Sequence, residues 1–509
     1  MLAAGACLIA TFVALLNYND YPLARPEVAI GIGILCLVAV LLGLACARLN
    51  ERERTLFWAL FLAIIMQMNF DGGALVVLAT AAVAYLLKNR AIAVGGIVFF
   101  VVLMFQAAQA VVTSPGAVPS PALAQAASRP VIVHVILDEA IGIEGMPTDV
   151  PEAAEAAAWG RDKLVADGFV VFGRAFAQHM HTINSVPLIL SLGGNNHGEQ
   201  SGIYYRLDDA AYLAALDARG FAVKAYENQY ARYCGSAAVD ACVLAPSYRA
   251  LAASSLTSGE KAIALLHAFV SLSDPLAILL REYDTAVAAV PGVAEIMPRL
   301  DWSYGNVPPA FGGKAVLDQL IADVAAARPG QAYFAHVLLP HHPHVFDAAC
   351  HVKPEAEWTN RVSSVRSRRE LYSSYANQWR CAVSRIDALV RRLEAARPNN
   401  DFVVIVHGDH GARIAPVDPD TDNIETLPHR TVREFYSTLV AIRLPGQPGG
   451  YRTEQVTAAA VLRSAVAANF RGPLEVESTA EPAVFLVEPD SWEPVRSVAV
   501  PWLFDRTKD

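Results

Sequence analysis

Two apolar runs in this sequence end in side chains that can do chemistry. VIVHVIL (131–137) is followed by Asp138 and Glu139, and FVVIVH (402–407) by Gly408, Asp409 and His410. Carboxylate oxygens and imidazole nitrogens are suitable ligands for Zn2+ or Mn2+. Gathered without a cation, these acids would repel one another and raise each other's pKa, and a divalent ion removes that problem. A polar turn or a hydrogen-bonded core network accounts for either end taken alone. Two such ends favour the metal. HVLLPHHPHVFD (336–347) is a third run that leaves a strand, this time into a histidine cluster. In AQHMHTINSVPLILSLGG (177–194), Thr182 stands before Ser185-Val186-Pro187. A threonine there is ordinarily a helix N-cap or turn residue, and the alternative is a nucleophile.

The elements that must position these residues follow from periodicity. Strands are expected at 131–137, 169–172, 221–226, 332–339, 402–407 and 437–444, with helices at 152–167, 207–219, 313–328 and 371–397 between them. The last helix carries Tyr372, Tyr375, Trp379, Val383, Ile386, Leu389 and Leu393 at helical spacing, which is a core face. Near-continuous apolar strands alternating with helices imply an α/β, doubly wound, mostly parallel sheet covered on both faces. Ligands of such sheets bind beyond the carboxyl ends of the strands. That is where Asp138, Glu139, Asp409 and His410 fall. Residues 451–509 are expected to complete the sheet edge and return a tail over it.

The chain of 509 residues is 54% hydrophobic with a formal charge of -9, and its mean hydropathy is +0.33. No basic stripe is available to track phosphates, so no nucleic-acid partner is expected. The apolar excess sits in residues 1–113. Runs at 2–17, 28–48, 55–70, 74–87 and 91–113 read as a bundle of about five transmembrane helices, with four as the alternative, and the pair around Asp71-Gly72-Gly73 reads as a tight hairpin of two tilted or short spans. Arg48, Arg52, Arg54, Lys88 and Arg90 mark two connectors as cytoplasmic. An odd number of spans then puts the rest outside, a multi-pass membrane protein with its large domain on the outer face. A cleaved signal peptide is the alternative for the first run. Residues 114–129 read as a linker, and 130–509 as one outer domain. The outer part holds Cys234, Cys242, Cys350 and Cys381. Three disulfide pairings are possible, and proximity favours Cys234–Cys242 and Cys350–Cys381.

This combination resembles the sulfatase-like, alkaline-phosphatase-superfamily enzymes anchored in bacterial membranes, among them phosphoethanolamine transferases and lipoteichoic acid synthase-type phosphoglycerol transferases. VILDEAIG looks like that family's first metal strand, which gives Glu139 the place of a ligand with Asp138 beside it. TINSVPLILS is similar to the T-x-x-S-V-P stretch of the transferases, which makes Thr182 nucleophile and ligand. PHHPH resembles their S-H-G-P segment, placing His341 at the substrate phosphate with His344 a second candidate. HGDHG looks like their D-H-G, making Asp409 and His410 the remaining ligands. The resemblance also implies the bacterial plasma membrane with the large domain facing the periplasm, a phospholipid donor, an envelope glycan or lipid acceptor, Zn2+ or Mn2+, and a monomer. The pattern departs where the family's acid after D-H-G is Ala412, followed by Arg413. It departs again where the sulfatase nucleophile motif is not met, which argues against formylglycine chemistry.

The expected reaction has Thr182 attack a head-group phosphorus, with charge on the phosphoryl oxygens met by the metal and by His341, His344 or Arg413. A phosphodiesterase or phosphatase on the same residues is the second reading, and a non-catalytic envelope binding protein the third. His134 and His407, inside strands, are expected to be satisfied core histidines. His179 and His181 either orient Thr182 or an acceptor, or cap a turn.

Overall fold

The computed structural model describes residues 2–69, 82 and 129–507. Excepted are 195–198, 202–203, 208–209, 229–230, 291–306, several shorter stretches between 274 and 289, 355–356, 362–365, 479–480 and 489–492. The hairpin at 71–73, the last two expected spans and nearly all of the linker lie outside the described residues.

Two compact units emerge: 1–118 with 247–308 and 354–356, and 119–246 with 309–353 and 357–509. In the first, helices Leu2–Tyr18, Pro26–Ala47 and Glu51–Asn69 match the first three apolar runs. Among the described residues, Pro26–Ala47 is the one helix long and apolar enough to cross a membrane. It exposes Ile30, Ile34, Leu37, Leu41 and Leu44 along its length. The unit also takes in helices Ser247–Ala253 and Ser258–Val270, which the sequence reading assigned to the outer domain. Side-chain packing is the reason: Phe269 meets Phe12 edge-to-face at 5.7 Å, and Tyr248 meets Tyr21 at 6.5 Å.

The second unit is mixed α/β. In chain order its strands are β1 (Val131–Leu137), β2 (Val170–Phe176), β3 (Glu199–Ser201), β4 (Tyr204–Arg206), β5 (Ala222–Glu227), β6 (Ala231–Arg232), β7 (Ala241–Leu244), β8 (Gln331–Val337), β9 (Phe402–Gly408), β10 (Val440–Arg443), β11 (Gly450–Thr457), β12 (Ala483–Val487) and β13 (Pro494–Ala499). Eight form one sheet in the order β11-β2-β10-β9-β1-β8-β5-β7. All pair in parallel except β10, which runs against both β2 and β9. β1, the middle of the sheet, is wholly buried, as a continuous apolar run requires.

One sheet face, carrying Ile132, Ile136, Phe334 and Ile405, packs on helices Thr182–Leu190, Ala211–Ala218 and Ala458–Ala467. Helices Pro151–Ala166 and Arg368–Ala396 pack together in the rest of the core. There a Cβ on Gly160 would stand 2.2 Å from the Trp379 ring, so only glycine admits the indole. The expected edge strand from the C-terminal region is β11, followed by the separate β12–β13 ribbon.

Candidate functional site

Strand parity builds the site. Side chains two residues apart on a strand share a face, and in-register residues of parallel neighbours share it too. Ile136 of β1 is in register with His336 of β8 and His407 of β9. Asp138 and Asp409, two residues beyond Ile136 and His407, therefore continue that same row past the carboxyl ends. His336 Nε2 lies 2.9 Å from Asp138 Oδ2. Ligand atoms of Asp138, His336 and Asp409 all fall within 4.8 Å of one another, every one buried. Deeper in the row, His134 Nε2 and His407 Nε2 meet at 2.8 Å, a hydrogen-bonded core pair as the sequence suggested.

The chain breaks parity at Glu139, whose φ of 61° is in the left-handed region, uncommon for a residue with a side chain. Neighbours hold it there. The Tyr375 hydroxyl donates to Glu139 O at 2.6 Å and accepts from the Ile141 N–H at 3.0 Å. The Glu139 N–H donates to Asp409 Oδ1 at 3.0 Å. Its carboxylate receives Arg413 Nη2 at 2.8 Å, the His342 N–H at 3.2 Å and His342 Nδ1 at 3.1 Å, with His341 Nε2 at 3.8 Å.

The segment bearing those histidines hangs on one buried amide. Gln378 Nε2 donates to the carbonyls of Pro340, His341 and Pro343, and its Oε1 accepts from the N–H groups of Val345 and Phe346. Cys350, just beyond, is joined to Cys381 on the same helix, and Cys234 to Cys242. Both expected pairings are present.

Thr182 is the first residue of its helix, and the N-cap is His181. Three residues apart on a helix share a side, so Thr182 and Ser185 face the same wall. The Ser185 hydroxyl donates to Asp409 O, and Thr182 Oγ1 lies 3.1 Å from His410 Nε2. His410 Nε2 lies in turn 3.2 Å from Asp409 Oδ2. Thr182 keeps partial exposure while Asp138, Glu139, Asp409 and His410 are buried.

The charges are poised for a cation. Burial and the neighbouring Asp409 hold the Asp138 carboxyl well above the usual range. Burial pushes Glu139 up as well, but His341, His342 and Arg413 outweigh it and hold the carboxyl well below normal. Burial lowers His336 to about 4 and keeps His344 and His410 neutral at physiological pH. Among the described residues, Asp138 Oδ1, Asp409 Oδ2, His344 Nε2 and Arg413 Nε are buried without a hydrogen-bond partner. Two orphaned carboxylate oxygens within a buried oxygen-and-imidazole cluster fit a divalent ion. Glu139, His341 and His342 form a second group of potential ligands.

Of the sequence candidates, Asp138, Glu139, Thr182, Asp409 and His410 converge through these contacts. Arg413 lies against Glu139, and His341 stacks on His342 at its edge. His344 is buried, with Nδ1 2.9 Å from the Thr359 hydroxyl. Sequence reasoning missed His336, His342, Tyr375 and Gln378. It also missed Tyr233, whose hydroxyl meets His336 Nδ1 at 3.0 Å. Of the two histidines flanking Thr182, His179 stacks on Phe485 at 4.6 Å.

No family model matches this chain, and no curated protein does. Several solved structures are similar to it. The C-terminal periplasmic domain of EcEptC from Escherichia coli, in complex with Zn, is 12% identical, with a TM-score of 0.41 over 76% of this chain and 97% of that one. A phosphonate monoester hydrolase of Agrobacterium radiobacter is 13% identical, with a TM-score of 0.39 over 70% and 80%. A protein in the alkaline phosphatase superfamily from Vibrio parahaemolyticus is 10% identical, with a TM-score of 0.35 over 69% and 68%.

Proposed function

We propose that this protein is a metal-dependent phosphotransferase that moves a phospholipid head group to a cell-envelope acceptor by way of Thr182. The observation that carries the reading is the Thr182 hydroxyl standing 3.1 Å from His410 Nε2, at the rim of a buried acid and histidine cluster. Asp138, Asp409, Glu139 and Thr182 would hold the cation, with His336 beside Asp138, while His410, expected as a ligand, has its one free lone pair on Thr182. A divalent ion in that place neutralises the acids and polarises a phosphoryl oxygen.

The chain's own atoms supply the rest. His410 Nδ1 lies 2.9 Å from Gly411 O, so its proton sits there, and Nε2 keeps a lone pair facing Thr182. Nε2 accepts the hydroxyl proton as the Thr182 oxygen bonds to phosphorus and the ester bond to diacylglycerol breaks, the departing oxygen taking a proton from water. An acceptor hydroxyl then gives its proton back to the solvent as its oxygen bonds to that phosphorus, and Thr182 leaves with the proton held on Nε2. Thr182 begins a helix, so the free N–H groups of the first turn favour negative charge at the reacting phosphate. His341 and Arg413 line the same edge for the phosphoryl oxygens.

Mass spectrometry of the purified protein tests the covalent step: a phosphoethanolamine or phosphoglycerol increment on the Thr182 peptide is expected. Labelled phosphatidylethanolamine or phosphatidylglycerol separates transfer from hydrolysis, since a labelled acceptor means transfer and free head group means water is the acceptor. Full activity of Thr182→Ala overturns the nucleophile.

A further inference from the structure

Residues 145–149 close one side of a separate cavity of about 160 Å³. Arg368 comes to it from the start of the helix Arg368–Ala396, Arg430 and Arg433 from the helix His429–Tyr436, and Arg506 from the C-terminal tail. The acids in the lining are Asp149 and Glu434. Four cations against two acids leave an excess of two positive charges. Burial raises the Glu434 carboxyl, which trims the negative side further.

Two of the four guanidinium groups are held by main chain and a third by a carboxylate. Arg433, 3% exposed, donates to Leu503 O and Asp505 O. Arg506 donates to Glu144 O at 2.7 Å and Met146 O at 3.3 Å. Arg368 reaches Asp149 Oδ2 at 2.6 Å, and Arg430 is exposed at the rim. Fixed guanidinium forks match the oxygens of a phosphate better than any other common group. At about 30 Å³ per liquid water, the volume suits one tetrahedral oxyanion with an ordered water or two.

We propose that this arginine-lined cavity is a second ligand site, which binds the phosphate of a phosphomonoester or phosphodiester. None of its lining residues belongs to the acid and histidine cluster, and the proposal stands whether or not Thr182 is a nucleophile. Tyr372 lines it, and Tyr375, one turn further along the helix, supports Glu139. The two rings meet edge-to-face at 6.3 Å, so both sites lean on adjacent turns of one helix.

The test uses detergent-solubilised full-length Thr182→Ala protein with chelator present, which silences the other site. Two probes are compared: radiolabelled inorganic phosphate by equilibrium dialysis, and labelled phosphatidic acid in mixed micelles against a phosphatidylcholine control. Saturable binding of about one equivalent is expected, weakened roughly tenfold or more by Arg368→Gln and by Arg430→Gln, as loss of a charged hydrogen bond implies. Both substitutions replace partly exposed side chains, and unchanged thermal melting shows that the variants fold. Binding of free phosphate identifies a soluble phosphorylated ligand, and binding of phosphatidic acid alone a lipid head group. No saturable binding of either probe, or binding that both variants leave unchanged, overturns the proposal.

Discussion

Asp138 is the residue on which the charge balance of the cluster turns. Without a cation its carboxyl is held well above the ordinary range by burial and by Asp409. A raised carboxylate pKa means that the unfolded chain gives up this proton first. Metal-free protein therefore loses stability as pH climbs above the ordinary aspartate value of about 4 and through the raised one. Asp138→Asn removes that loss. Chelator-treated variant should be more stable than the parent near neutral pH, and should take up less Zn2+ or Mn2+. Thermal melting across pH, with metal content by elemental analysis, checks both halves. Thr182→Ala should fold, retain metal and lose turnover by a factor on the order of 1,000 or more.

Asp138, Glu139, Asp409 and His410 could be singled out because each follows a strong apolar run at an element boundary, whereas Thr182 sits in a polar stretch and stood out only through the family resemblance. His336 could not be singled out. It lies inside its strand just as His134 and His407 do, and only the β1–β8 register shows that it shares a row with Asp138.

At the scale of elements, the helix Arg368–Ala396 is the brace of the site. Its apolar stripe announced a core helix, yet the polar atoms within it set the loops. Gln378→Ala would strip partners from the 340–346 backbone and should cost about 3 kcal/mol in denaturant unfolding, since each buried group left unmade costs roughly 1–3. Substrate affinity should fall with it, read as a raised KM. The Cys350–Cys381 bond closes a span of 31 residues onto the same helix. Cys350→Ser should lower stability by about 3–4 kcal/mol on loop-closure grounds, with reductant reproducing the effect in the parent. The inner strands could be read from composition because they are buried on both faces. The edges could not: β11 is GYRTEQVT, largely polar, and fully buried only at Val456. β10 is as apolar as its parallel neighbours, and composition carries no direction.

For the molecule as a whole, the sequence marked an apolar N-terminal region but misjudged its membership. Helices Ser247–Ala253 and Ser258–Val270 are amphipathic, and amphipathicity says that a face will be covered without saying by what. The exposed leucines and isoleucines of Pro26–Ala47 imply that full-length protein sediments with membranes and leaves them with detergent, but not with high salt or carbonate. Immunoblots of the fractions decide that.

The reversed direction of β10 has a consequence for how such a chain can change over time. β9 stops at Gly408, and β10 begins with Val440 opposite His407. The polypeptide between them thus starts and finishes at one rim, with no need to travel to the far end of the sheet. Insertions and deletions in its exposed turns, at Pro416-Val417 and Glu425-Thr426, can redraw which molecules are admitted without disturbing the ladder beneath, so new preferences can arise there while the framework is inherited intact.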